Sequence, residues 1–113
     1  MYVLPVNITH YDILNLKPTN FESCSCISYV KAVLSIQGSI GNAKDIQPTT
    51  NQPFVGAIVL LKDGFGHAGI VISHTDKEIT ITEANYFKCQ VSERTLKRTD
   101  PKIRGYRRVI DFI

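Results

Sequence analysis

Apolar and polar positions follow two different periods along this chain, and the change divides it into a helical first part and a β-rich second part. Ser23 to Gln37 reads S-C-S-C-I-S-Y-V-K-A-V-L-S-I-Q. Apolar residues (Cys26, Ile27, Tyr29, Val30, Ala32, Val33, Leu34 and Ile36) surround it on most sides, as expected of a buried central helix. Thr19 and Glu22 have capping-box spacing, and Gly38 stands where a left-handed C-cap is favoured. The helix is therefore expected to begin between Asn20 and Ser25. Upstream, His10 to Leu16 suits a short helix ended by Pro18. Gly38 to Gly56 is rich in Gly, Pro and polar residues and reads as loop, with one helical turn around Asn42 to Ile46.

From Ala57 onward the period is that of strands. Ala57 to Lys62 is a continuous apolar run of strand length. Asp63-Gly64, extended by Phe65-Gly66, signals a hairpin turn, and His67 to Ser73 is its partner strand. After a turn at Thr75 to Lys77, Glu78 to Asn85 alternates strongly, the pattern of a half-buried strand. Cys89 to Val91 reads as a short strand, Thr95 to Pro101 as a polar turn, and Arg104 to Ile113 as a closing strand. Helices first, then an antiparallel meander, predict an α+β fold in a single domain over residues 1–113.

Composition narrows the classes. Hydrophobic content is 43%, ordinary for a globular domain. A net charge of +3 does not by itself indicate nucleic acid. Lys97, Arg98, Lys102, Arg104, Arg107 and Arg108 cluster, but no aromatic platform or recognition helix accompanies them, so a solvated face or attraction to an anionic polymer is expected. No apolar run reaches membrane-spanning length, and the N-terminus lacks the basic and apolar regions of a signal peptide. Three cysteines leave at least one thiol unpaired and suggest no disulfide framework. Cys89 reads as a packing residue, and His10 and His74 as solvated.

The candidate chemistry joins the two parts. Cys26 falls in the first or second turn of the central helix, where free N–H groups and the helix dipole favour a thiolate. Taken alone, an inert buried thiol is the commoner outcome. The alternation of Glu78 to Asn85 puts Ile79, Ile81, Glu83 and Asn85 on one core-facing side. A buried carboxylate needs a partner, and His67 begins the neighbouring strand. A thiol, an imidazole and a polar group to orient it are the components of Cys–His nucleophilic catalysis.

With these segments in view, the chain resembles the CHAP domains, papain-like cysteine amidases and peptidases of bacterial and phage cell-wall hydrolases. The segments are C-I-S-Y-V-K, G-N-A-K-D, P-F-V-G-A-I-V-L-L with G-H-A-G-I-V-I, I-T-I-T-E-A-N-Y and I-R-G-Y-R-R-V. They run in family order from Phe21 to Val109. The resemblance implies a papain-like (NlpC-type) fold, with N-terminal helices and the nucleophile helix packed on the sheet. It implies Cys26 as nucleophile in preference to Cys24, His67 as base, Glu83 as its orienter and Asn85 in support. Asn42 and Tyr86 are substrate-binding candidates, Tyr86 from its place just after Asn85, where core packing suits it equally. Ser25 stands where many members have Gln, so oxyanion stabilisation falls to backbone N–H groups near Cys26 or a side chain such as Asn20. There is no acidic calcium loop, and C-x-C with a lone His lacks a fourth zinc ligand, so no metal or cofactor is expected. The implied function is peptidoglycan hydrolysis, as an amidase or endopeptidase. Delivery would be by lysis machinery, a virion or a longer parent chain with further domains. The alternatives are an inactive wall-binding or virion structural module and a protease acting on protein.

Overall fold

The computed structural model describes residues 21–112, which form five strands and one α-helix. The helix, α1, spans Cys26–Val33. The strands are β1 (Ile58–Leu61), β2 (His67–His74), β3 (Glu78–Ala84), β4 (Val91–Lys97) and β5 (Ile103–Arg107). They form one antiparallel sheet in the order β4-β3-β2-β1-β5. The expectation of an α+β, papain-like fold with N-terminal helices is thereby overturned. The described residues are mostly β, with a single eight-residue helix. The expected helix at His10 to Leu16, and Thr19 and Asn20, lie outside them.

The caps at its two ends mark how far α1 falls short of its apolar stretch. Ser25, in extended conformation, is the N-cap, and its hydroxyl accepts from the Ser28 N–H. Glu22 accepts instead from the Cys24 N–H. The helix stops at Val33 because Ser35 adopts a left-handed φ of 55°, three residues before Gly38. The Leu34 N–H bonds to the Val30 carbonyl and the Ile36 N–H to the Lys31 carbonyl, the bond that closes a Schellman motif. Leu34 and Ile36 are thus folded into the core.

The sheet carries a core on each face. Tyr29, Val30 and Val33 of α1, with Leu34 just beyond it, pack with Ile58, Leu60, Ile70 and Ile72 on one side. Val59, Leu61, Val71, Ile79, Ile81, Leu96 and Tyr106 cluster on the other. β1 is buried on both faces, as its unbroken I-V-L-L run requires.

Two strands differ from expectation. β4 runs through Thr95 to Lys97, where the polar composition reads as turn. It is an edge strand, and edges carry charge rather than apolar residues. β5 ends at Arg107, and Val109–Phe112 form a 3-10 turn. Another 3-10 turn, Ala43–Asp45, lies where a helical turn was expected. Its Lys44 sits against Gly66, where a side chain would meet Lys44 backbone at 2.7 Å. Arg104 donates to the Ala43 and Ile46 carbonyls and Arg107 to Gln47, so part of the basic cluster fastens this loop to β5. None of the described helices is long and apolar enough to cross a membrane.

Candidate active site

The start of α1, the start of β2 and the end of β3 meet at one end of the sheet. Cys26 opens the helix, His67 opens β2, and Glu83 is the penultimate residue of β3. The helix rests on the sheet face bearing Thr82, whose hydroxyl is 2.7 Å from the Tyr29 hydroxyl. Glu83 follows Ile79 and Ile81 on the opposite face, as alternation predicts. It is fully buried.

Glu83 Oε1 lies 2.7 Å from His67 Nε2. A carboxylate can only accept, so Nε2 carries a proton, which leaves Nδ1 as the ring nitrogen available to the Cys26 thiol. Burial pushes the Cys26 thiol up. The hydrogen bond and charge of His67, with N–H groups of Ala68 and Ile27, outweigh burial and hold it below its ordinary value. Burial works against the His67 imidazolium, but hydrogen bonds to Cys26 and Glu83 and their charges raise it to about 9. Both shifts favour a thiolate–imidazolium pair at neutral pH.

Above the pair lies a cleft of about 430 Å³. Phe65 and Gly66 of the β1–β2 loop form one wall; Asn85 and Tyr86 form the other. Phe65 is 97% exposed and Tyr86 41%, so both present aromatic surface beside the Cys26 thiol. First-turn N–H groups of a helix have no partner within it. That of Ser28 is taken by Ser25, which leaves those of Cys26 and Ile27 nearest the thiol. The arrangement can attack a carbonyl carbon, protonate a leaving group and donate to a developing oxyanion.

Of the other expected site residues, Tyr86 lines the cleft and Asn42 does not. Asn42 is exposed and caps the Ala43–Asp45 turn. Asn85 differs from expectation. Its φ of 65° takes it out of the strand and off the Glu83 face. Its carboxamide donates to the Cys24 carbonyl at 2.9 Å and accepts from the Cys89 N–H at 2.8 Å. It does not hold His67; it ties the β3–β4 turn to the segment before α1. A disulfide between Cys24 and Cys89 makes the same connection, where packing was expected of Cys89. Cys26 is the free thiol.

Sequence reasoning missed Arg94 and gave Asp63 only a turn role. Arg94 donates Nε to Glu83 Oε2 and Nη2 to Glu83 Oε1, both at 3.0 Å, and Nη1 to Asp63 Oδ2 at 2.9 Å. The available signal was V-S-E-R-T-L-K, whose alternation puts Arg94 on the Leu96 face beside a strand bearing a buried acid. Among the described residues no group of three or more His, Cys, Asp or Glu could hold a metal ion.

No protein-family model matches the chain, and it matches no curated protein and no solved structure.

Proposed function

We propose that this protein is a thiol-dependent hydrolase that cleaves an amide bond of bacterial peptidoglycan. The observation that carries the reaction class is the Cys26–His67–Glu83 arrangement opening into a cleft. The choice of substrate rests on the resemblance of the segments around these residues to CHAP domains. In this reading Cys26 Sγ attacks the amide carbonyl, and the Cys26 N–H donates to the oxyanion. His67 gives its Nδ1 proton to the leaving nitrogen, the C–N bond breaks, and an acyl-thioester remains. Neutral His67 then takes a proton from water, whose oxygen attacks the thioester; the acid leaves and Cys26 is restored as thiolate beside imidazolium. Glu83 holds the imidazole with Nδ1 towards sulfur throughout.

The test is turbidity loss of purified sacculi, with mass spectrometry of released muropeptides to identify the bond. Cys26→Ala and His67→Ala should each abolish release with unchanged circular dichroism, and the double variant should be no worse than either, because the residues act as a unit. Release by Cys26→Ala at the wild-type rate, or no release from any wall type by the wild type, refutes the reading.

A further inference from the structure

The edge strand β4 sends one charged side chain inward. Val91, Glu93, Thr95 and Lys97 alternate with Ser92, Arg94 and Leu96, and Leu96 joins the core on the face of Ile79 and Ile81. Arg94 pairs with Ile81, which places it one diagonal step from Glu83. Only 12% of the Arg94 side chain is exposed. Its fork grips both oxygens of a fully buried carboxylate, and its third nitrogen reaches Asp63 in the loop that walls the cleft. The guanidinium carbon lies 3.7 Å from the centre of the Tyr86 ring, the opposite wall. An arginine that only neutralised Glu83 would need neither the Asp63 bond nor the Tyr86 contact. Gly69 keeps this corner open, since a side chain there would meet Glu83 Cβ at 3.4 Å and the Thr82 carbonyl at 3.0 Å.

We propose that Arg94 is a positioning residue of the Cys26–His67 site: its fork holds the Glu83 carboxylate with Oε1 towards His67 and locks that carboxylate to both walls of the cleft. The inference rests on the reading of Cys26 and His67 as a reactive pair, and not on what the pair cleaves. A carboxylate held on one oxygen alone can rotate about its last bond; held on both it cannot, and the imidazole it carries keeps its aim. Lysine could supply the charge but not the planar two-pronged grip. The charged and titratable groups around His67 are Cys26 from α1, Glu83 from β3, Arg94 behind Glu83 from β4, Asp63 from the β1–β2 loop and Tyr86 from the β3–β4 turn. Among them Arg94 is the fixed cation, and it opposes protonation of His67.

The experiment measures the single-turnover burst of p-nitrophenol from p-nitrophenyl acetate across pH, which acylates Cys26 and needs no wall substrate. Arg94→Lys should slow the burst about tenfold, the scale of lost outer contacts around a reactive centre, and leave the upper pH limb in place. Arg94→Gln should slow it similarly and move that limb up by about one pH unit, because the cation opposing the imidazolium is gone. A folded Arg94→Lys with the wild-type burst rate overturns the proposal, as does Arg94→Gln with an unmoved limb. If Arg94→Gln does not fold, the burst rate of Arg94→Lys decides alone. A wild type that gives the burst but releases nothing from sacculi refutes wall hydrolysis and leaves the assignment of Arg94 standing.

Discussion

Replacing Glu83 with Gln changes one atom of the site and should disable it. The carboxylate accepts three bonds: from His67 at 2.7 Å and from two Arg94 nitrogens at 3.0 Å. An amide has one oxygen and one NH₂ group. With its oxygen towards His67 and Arg94 Nη2, the NH₂ faces the Nε–H of Arg94, donor against donor. Flipped, the NH₂ faces His67 Nε2, which must then give up its proton and move it to Nδ1, where the thiol needs an acceptor. Neither orientation satisfies all three donors, in a place sealed from water. Breaking a buried charge pair by removing one partner costs about 3–5 kcal/mol. Gln keeps part of the bonding, so about 3 kcal/mol is expected. At roughly 4 °C per kcal/mol for a domain of this size, Tm falls by about 12 °C. Loss of the carboxylate also removes support for the His67 imidazolium, and the rate of the proposed hydrolysis at neutral pH should drop at least about 100-fold, short of the ~10⁴-fold seen when an amide replaces the orienting acid of a serine protease triad. Differential scanning calorimetry and sacculus turbidity measure the two effects. A Tm within about 2 °C of wild type, or a rate within about threefold, would show that the carboxylate is not held as described.

Two further outcomes follow from the same geometry. His67 is raised from an ordinary 6.5 to about 9, so the stability it contributes is fully present below pH ~6.5 and lost as pH rises through about 9. The lowered Cys26 thiol works the other way, gaining stability as pH rises towards its ordinary 9.0, so the pair leaves urea midpoints nearly level between pH ~6.5 and ~9. The alkaline limb of the proposed hydrolysis should lie near pH 9, and a limb at the ordinary histidine value would refute the pairing with Cys26. The Cys24–Cys89 disulfide spans a sequence separation of 65. By the chain-entropy relation for that loop, Cys24→Ser/Cys89→Ser should cost about 4 kcal/mol in urea unfolding. Iodoacetamide should label Cys26 alone before reduction, and labelling of Cys24 or Cys89 in the unreduced protein would count against the bond.

What the sequence by itself determined is what lies within a single element. The apolar run of β1, the alternation of β3 that buries Glu83 behind Ile79 and Ile81, and the place of Cys26 at a helix start are local periodicities, readable without knowing what packs against them. The short turn between β2 and β3 also brings His67 and Glu83 to one end of the sheet, because it leaves consecutive strands little choice of neighbour, whereas the long loop between α1 and β1 left the place of Cys26 to the tertiary structure. What spans distant elements was decided only in three dimensions. Arg94 and Asp63 are 31 residues apart and meet because β4 pairs with β3 while the β1–β2 loop bends over the same end. Cys24 and Cys89 join, and Asn85 turns from the site to hold them, because a left-handed residue ends β3 and carries the next turn over the start of α1. The short helix and the β-rich balance belong here too. An apolar stretch states that it will be buried, but tertiary packing decided that Leu34 and Ile36 enter the core beyond the end of the helix rather than within it.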